Sequence, residues 1–399
     1  MGVARTGAAG EYFESMRVLL ASSLGGMGHL EPVLAVGHAL QRMRHEPMVL
    51  VPPSLETAVE RSGLPYVIGD QPPAAAVEEI WDRVRAGPEE HVVGLIDREL
   101  FADQCTAAML GVARTVCEAW KPRLVVREPC EYASAVVACE KGIAQIEVGV
   151  SLAELEWGVL AMVEPIVDRH CPGVAGVIRA APYLTRFPES VDPSPWADTR
   201  RYRLPDPAVR PLPDWWPGDD RPLAYLTFGT VLGHLPEAAD VYRTAIDAVA
   251  DVSARVLLTV GRAVDVDRLG AMPGNTRVEQ WVAQSDVFAQ AAVVVCHGGS
   301  GTTLGALAAG VPLVVCPLFA DQPRNGRLVE ATGAGLLMIP RNEFAGDLRS
   351  LGPADIAPLR AAVERVLTDP AYRDAAEGVA HEMASVPTLE QVLHDLCHD

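Results

Sequence analysis

The feature that most constrains this chain is a strand, glycine-turn, helix pattern that appears early, lapses in a proline-rich tract and then starts again. The apolar run Met16–Ser22 breaks into Leu24-Gly25-Gly26-Met27-Gly28-His29, followed by an amphipathic stretch Pro32–Arg42 and a second apolar run Pro47–Val51. That order of a strand, a tight turn, a helix and a strand is how a parallel sheet opens. Arg123–Val126 and Ile143–Val150 read as further strands, with a helical Cys130–Lys141 between them. The tract from Pro188 to Pro222 is crowded with proline, tryptophan and charge, has no period, and reads as a linker. Leu223–Phe228 then starts the pattern afresh, ending in Gly229-Thr230. A helical Ala238–Asp251 and the strands Arg255–Val260, Asn275–Gln280, Ala292–Cys296 and Leu313–Pro317 follow. Ala354–Leu367 and Ala371–Ala384 are closing helices, and Leu389–Leu396 is a last one.

The expected class is therefore α/β, with two Rossmann-like parallel-sheet domains facing a cleft. The first lobe is expected over residues 16–204, a linker over 205–222 and the second lobe over 223–384. A terminal helix within 385–399 is free to pack back on the first lobe. Open parallel sheets bind ligands beyond the carboxyl ends of their strands, so the cleft between two such edges is the expected site.

Charge narrows the partners. The 399 residues hold 33 Lys+Arg against 52 Asp+Glu, a formal net charge of −19. Phosphate neutralisation needs a basic surface, so nucleic acid is an unsuitable partner, and the same acidity removes a polybasic hold on membranes. Lysine occurs only as Lys121 and Lys141, followed by Pro122 and Gly142, so no Gly-Lys-Ser/Thr phosphate loop exists. The eight cysteines form no Cys-x-x-Cys pair and sit among apolar neighbours, as reduced thiols of a cytoplasmic protein do. The longest apolar stretch, around Ala308–Ala320, is interrupted by Pro312 and Pro317, so no membrane span is expected. The opening MGVARTGAAGEYFES has no apolar core of a signal peptide. A cytoplasmic enzyme is the expectation.

The strongest local signal is Val293-Val294-Val295-Cys296-His297-Gly298-Gly299-Ser300-Gly301-Thr302-Thr303-Leu304. A strand feeds a glycine turn and then a helix with hydroxyls in its first turn. Free N–H groups and the positive end of the helix dipole suit a diphosphate there without lysine or metal. A dinucleotide fingerprint fails on spacing, since Leu304 stands where its third glycine should be.

Taken together, Trp281-Val282-Ala283-Gln284, His297–Thr302 and Phe319-Ala320-Asp321-Gln322 resemble the donor-binding signature of nucleotide-sugar glycosyltransferases with two Rossmann lobes (the GT-B architecture). The likeness is strongest to actinobacterial enzymes that glycosylate antibiotics and related natural products. Gly28-His29-Leu30-Glu31-Pro32 resembles the same family's opening, and the likeness runs over roughly residues 16–340. The resemblance implies that Trp281 stacks on the nucleobase and the Val282 backbone bonds its edge. It implies that His297, Ser300 and Thr302, with the Gly299 and Gly301 amides, hold the diphosphate. Thr230 would contact the distal phosphate, and Asp321 and Gln322 the sugar hydroxyls. Plant members carry a glutamate that binds both ribose hydroxyls; Gly305 stands there in this chain, which points to a deoxythymidine diphosphate donor rather than a uridine one.

His29 is the candidate general base, because a neutral imidazole near its ordinary pKa takes a hydroxyl proton at cytoplasmic pH. Attack opposite the diphosphate would invert the anomeric carbon. The family orients its base with an aspartate after a first-lobe strand; here Leu124-Val125-Val126-Arg127 ends in Glu128, one methylene longer. The resemblance implies a bulky apolar aglycone as acceptor, received by first-lobe loops around residues 70–105 and 150–175. Trp81, Met109, Leu155, Trp157 and Met162 are candidates to line that pocket or to be ordinary core. Asp265-Val266-Asp267 fits an Asp-x-Asp metal pattern but reads as a solvated turn, so no metal or other cofactor is expected beyond the nucleotide-sugar co-substrate. A nucleotide-sugar 2-epimerase and a non-catalytic auxiliary protein of the same architecture are the alternatives. Monomer and homodimer both stay open.

Overall fold

The computed structural model describes residues 15–24, 26–86, 94–229, 232–234, 238–262, 264–343 and 349–398. Apolar runs become strands, and those in the middle of each sheet are buried on both faces, as parallel strands covered by helices are. In the first lobe these are β1 (Arg17–Ala21), β2 (Glu46–Val51), β3 (Tyr66–Ile68), β4 (Leu124–Arg127), β5 (Ala144–Val148), β6 (Tyr183–Thr185) and β7 (Thr199–Arg201). They form one parallel sheet in the order β3-β2-β1-β4-β5-β6-β7. The second lobe repeats the plan with β8 (Leu223–Thr227), β9 (Arg255–Thr259), β10 (Thr276–Glu279), β11 (Ala291–Cys296), β12 (Leu313–Val315) and β13 (Gly335–Leu337). Their order is β10-β9-β8-β11-β12-β13, again all parallel. Each sheet reverses its strand order once, between β1 and β4 and between β8 and β11. A doubly wound sheet opens its ligand crevice at that reversal.

Helix α1 (Met27–Arg42) shows why the pattern holds. Leu30, Val33, Leu34, Val36, Gly37, Ala39 and Leu40 lie on its buried side, and the apolar stripe ends at Arg42. Two clusters sandwich the first sheet and two the second. The fourth cluster also contains Leu152, Phe187 and Val191 of the first lobe, packed with Tyr225, Leu257 and Phe288 of the second, so apolar contact joins the lobes. The last helix (Leu389–His398) buries Leu389, Val392 and Leu393 among first-lobe residues such as Val18 and Leu30. An isolated bridge of Arg203 with Thr388 leads into it.

Two expectations are corrected. The tract from Pro188 to Pro222 is not all linker, because Thr199–Arg201 pairs with β6 as the sheet's edge. The segments expected as acceptor loops are largely helical: α2 (Glu56–Ser62) precedes α3 (Ala74–Ala86), a π-helical segment Gly94–Cys105, and α4 (Thr106–Trp120). After α5 (Ala133–Lys141) come α6 (Ala153–Val167) and α7 (Val174–Ala180). No helix among the described residues is long and apolar enough to cross a membrane. All eight cysteines are free.

Candidate active site

The first half of the site hangs from the first sheet's reversal. β1 runs into the turn before α1, whose N-cap is Gly26 at φ 71°, a left-handed conformation that glycine adopts without strain. His29 sits in the helix's first turn. β4, paired with β1, runs straight into Glu128. Residues 99 apart in sequence thus meet: His29 Nδ1 lies 2.8 Å from Glu128 Oε2. The extra methylene of glutamate does span the gap.

Glu128 is fully buried and each oxygen is engaged. Oε1 accepts the Ser23 N–H at 2.9 Å; Oε2 accepts the Cys130 N–H at 2.8 Å as well as the ring. Burial works against its ionisation, but the His29 ring and these two N–H groups outweigh it and hold the carboxyl below its ordinary pKa. The loop carrying it is braced from beneath by Arg127, also buried. Its guanidinium donates to the carbonyls of Glu128 (3.1 Å), Pro129 (3.5 Å) and Glu131 (3.4 Å) and pairs with the buried Glu147. An ionised Glu128 fixes the tautomer of His29: Nδ1 carries the proton it donates, and Nε2 is the nitrogen left for a substrate.

The imidazole is 21% exposed. Burial pulls its pKa down, yet the Glu128, Asp321 and Asp97 carboxylates together lift it above 6.5. Asp321 belongs to the other lobe, so the His29 ring feels a charge from across the cleft. Asp97 and Phe101 come from the π-helical segment. Burial pushes Asp97 up to about 6 against the pull of His29, and the Phe101 ring stacks on His29 at 5.8 Å between centroids. Residues four apart share a helical face, so both sit on the side toward His29.

The second half hangs from the other reversal. After β8 comes Gly229, and after β11 His297, Gly298 and Gly299. The helix Ser300–Ala308 starts with Gly299 as N-cap and no side-chain cap, so the N–H groups of its first turn have no partner within the helix. The His297 ring explains two glycines without reference to any ligand. A Cβ on Gly229 would lie 2.8 Å, and one on Gly299 2.5 Å, from His297 Nε2. Burial drives His297 down to about 4, opposed by Asp321, so the ring is neutral at physiological pH. Its buried Nδ1 has no hydrogen-bond partner among the described residues.

Motifs far apart in sequence are tied together here. Gln284 Nε2 donates to Thr302 Oγ1 at 3.2 Å, linking the Trp281–Gln284 stretch to the glycine turn. Asp321 Oδ2 accepts from Ser300 Oγ (3.1 Å) and Asn325 Nδ2 (3.2 Å). Trp281 is not core: it is 61% exposed, with the Arg262 guanidinium 5.7 Å from its ring centroid. The Val282 side chain packs against the apolar face that holds Phe288. Gln322 is buried, and its Oε1 accepts the N–H groups of Leu318 (2.9 Å) and Phe319 (3.1 Å), which leaves its amide nitrogen outside these bonds. Gly301 has open space where a side chain would stand. Thr230 lies outside the described residues.

The family profile described as "Erythromycin biosynthesis protein CIII-like, C-terminal domain" matches residues 243–398. Elloramycin glycosyltransferase ElmGT of Streptomyces olivaceus is 30% identical over 388 residues, covering 94% of this chain and 96% of that protein. The chain belongs to the erythromycin-CIII-like family of antibiotic-tailoring glycosyltransferases. L-demethylnoviosyl transferase of Streptomyces niveus is 29% identical, covering 96% of this chain and 97% of its own. The crystal structure of the glycosyltransferase SnogD from Streptomyces nogalater superposes with a TM-score of 0.74 at 27% identity, covering 96% and 99%. The two facing parallel-sheet lobes are the GT-B fold.

In this glycosyltransferase, the candidate acceptor-lining residues differ in their surroundings. Met109 is core against Gly69, and Trp157 packs edge-on against Trp196 at 4.9 Å. Leu155 is partly buried against the apolar cluster shared by the two lobes. Trp81 is 40% exposed on α3. Among described residues one set of possible metal donors converges: His29, Glu128 and Cys130, with atoms within 4.8 Å. It consists of the hydrogen-bonded His29 and Glu128 plus a neighbouring thiol. Asp265 Oδ1 accepts the Asp267 N–H at 3.2 Å in an exposed turn, as expected of a solvated loop.

Proposed function

We propose that this glycosyltransferase moves a sugar from a deoxythymidine diphosphate donor to a hydroxyl of an apolar natural-product aglycone, inverting the anomeric carbon. The observation that carries the proposal is the 2.8 Å pairing of His29 Nδ1 with buried Glu128 at one sheet's reversal, opposite the uncapped helix start at the other's. The acceptor hydroxyl donates to His29 Nε2. As its oxygen bonds the anomeric carbon from the face opposite the diphosphate, the proton passes to Nε2, and Glu128 stabilises the imidazolium. The departing diphosphate is met by the N–H groups at Gly299, Ser300, Gly301 and Thr302, with a neutral His297 adding a donor. The leaving group is a weak base, so charge stabilisation matters more than its protonation, and the scheme needs no divalent cation.

Trp281 offers an exposed indole face for the base, with the Val282 backbone at its edge. Asp321 holds sugar hydroxyls through Oδ1, and Gln322 through Nε2. The deoxyribose reading rests on Gly305, whose Cβ would lie 2.6 Å from Phe288 Cε2. No side chain fits there without moving that ring, so the position supplies no acceptor for a ribose 2′-hydroxyl. A relative 27% identical over 94% of this chain, from Streptomyces peucetius, is named TDP-daunosamine transferase, which supports the same donor class. The reaction belongs to the cytoplasm, where nucleotide sugars are made.

The test is incubation with radiolabelled deoxythymidine diphosphate sugars, with and without a panel of polycyclic and macrolide aglycones. The expected product is a labelled glycoside of inverted configuration by anomeric coupling constant. Retention, or release of an epimerised nucleotide sugar alone, would overturn the proposal.

A further inference from the structure

Asp321 is bonded across the cleft. Besides Ser300 and Asn325 of its own lobe, its Oδ2 accepts the hydroxyl of Ser151, from the first lobe, at 2.7 Å. Three donors on one oxygen orient the carboxylate and leave Oδ1 outside this set.

Both ends of the bond are braced. Ser151 follows β5, and its N–H and that of Val150 donate to Glu156 Oε1 at 2.6 and 2.8 Å. The buried Glu156 in turn accepts the Tyr183 hydroxyl at 2.6 Å, beside Gly149, where a Cβ would collide with that hydroxyl. On the other side Asp321 ends a turn in which Ala320 stands at φ 58°, a left-handed conformation costly for a residue with a Cβ. The Gln322 side-chain oxygen Oε1 pins that turn by accepting the Leu318 and Phe319 N–H groups. Neither side chain can follow its partner far, so the bond exists only when the lobes are together.

We propose that Ser151 is a positioning residue: its hydroxyl latches the closed cleft and fixes Asp321 with Oδ1 toward the donor sugar. This rests on the reading of Asp321 given above. A hydrogen bond to an ionised carboxylate shifts the closed-to-open ratio by roughly 10–100-fold. The latch acts where the sugar sits, and base and diphosphate recognition do not depend on it.

The experiment is calorimetric titration of wild type, Ser151→Ala and Ser151→Thr with thymidine diphosphate and with dTDP-glucose, alongside small-angle scattering. Ser151→Ala should bind thymidine diphosphate like wild type, bind dTDP-glucose about tenfold or more weakly, and lose the contraction that dTDP-glucose induces. Ser151→Thr, which keeps the hydroxyl, should restore both. Equal affinity of Ser151→Ala and wild type for dTDP-glucose would overturn the latch, as would an equal loss for both ligands that threonine does not rescue. A wild type that binds neither ligand would instead remove the donor assignment, and the latch with it.

Discussion

Replacing Glu128 by glutamine changes one atom and tests the base assignment directly. The carboxylate accepts three N–H groups: Ser23 on Oε1, Cys130 and His29 on Oε2. An amide cannot satisfy that set. With its NH2 on the Oε2 side it opposes the Cys130 N–H and forces Nδ1 of His29 to accept, which moves the ring proton to Nε2 and abolishes the base. With its NH2 on the Oε1 side it opposes the Ser23 N–H; the tautomer survives, but no negative charge supports the imidazolium. The lost charge-assisted bond corresponds to about 1.5–3 kcal/mol. At 1.36 kcal/mol per decade, kcat should fall roughly 10–150-fold, the larger loss belonging to the wrong tautomer.

The pH profile separates this from a general loss of fold. In the wild type, Glu128, Asp321 and Asp97 lift His29 above 6.5, so kcat/KM should rise with pH along a limb lying above the ordinary imidazole range. Without the Glu128 charge, burial gains weight and the limb should shift to lower pH. Stability carries the matching signature. A raised His29 stabilises the fold below about pH 6.5 and loses that contribution as pH rises through its folded pKa. A lowered Glu128 stabilises above about pH 4.5 and loses it as pH falls. Both contributions should shrink in Glu128→Gln, measured by urea midpoints from pH 4 to 9. Pre-steady-state turnover with an unchanged acid limb and near-wild-type rate would refute the reasoning.

Four further outcomes follow from the same geometry. His29→Ala should cut transfer by about 10²–10⁴-fold while calorimetry shows thymidine diphosphate binding unchanged; near-normal turnover would remove the base role. Trp281→Ala, at a site 61% exposed, should leave the unfolding midpoint in place but raise donor KM roughly 5–150-fold, the span of about 1–3 kcal/mol for base stacking. Arg127→Met should destabilise by about 3–5 kcal/mol, because Glu147 is then buried without its partner; a denaturation midpoint near wild type would contradict the clamp. Exhaustive EDTA treatment should leave the transfer rate as it was, and loss of activity restored by a divalent ion would contradict the metal-free scheme.

The strands nearest the site were the most legible in the sequence, for a physical reason. A parallel strand covered on both faces must be a continuous apolar run, and β1, β8 and β11 are such runs closed by glycine turns. Tyr183–Thr185 escaped because three residues are too few to show a period, and Thr199–Arg201 because it is a three-residue edge strand inside a proline-rich tract. The π-helical Gly94–Cys105 escaped because its turn is longer than 3.6 residues, so its apolar positions form no ordinary helical stripe. Phe101 and Asp97 were hidden with it. Asn325 was within reach: it stands four after Asp321 on one helical face, the spacing at which side chains meet. Ser151 gave no local signal, since its partner lies 170 residues away on the other lobe.

What joins these residues is strand order rather than sequence proximity. His29 and Glu128 meet because β1 and β4 are neighbours at one reversal; Gly229 and His297 meet because β8 and β11 are neighbours at the other. Each half-site is therefore as rigid as its sheet, and rearrangement is left to the relation between the lobes. That relation runs through the apolar contact of Leu152, Phe187 and Val191 with the second lobe, and Leu152 directly follows Ser151. A shear at this contact moves Ser151 relative to Asp321 and carries the imidazole toward or away from the helix that faces it. The chemistry can thus be gated by a small rigid-body displacement, with neither the His29–Glu128 bond nor the glycine turn around His297 having to break.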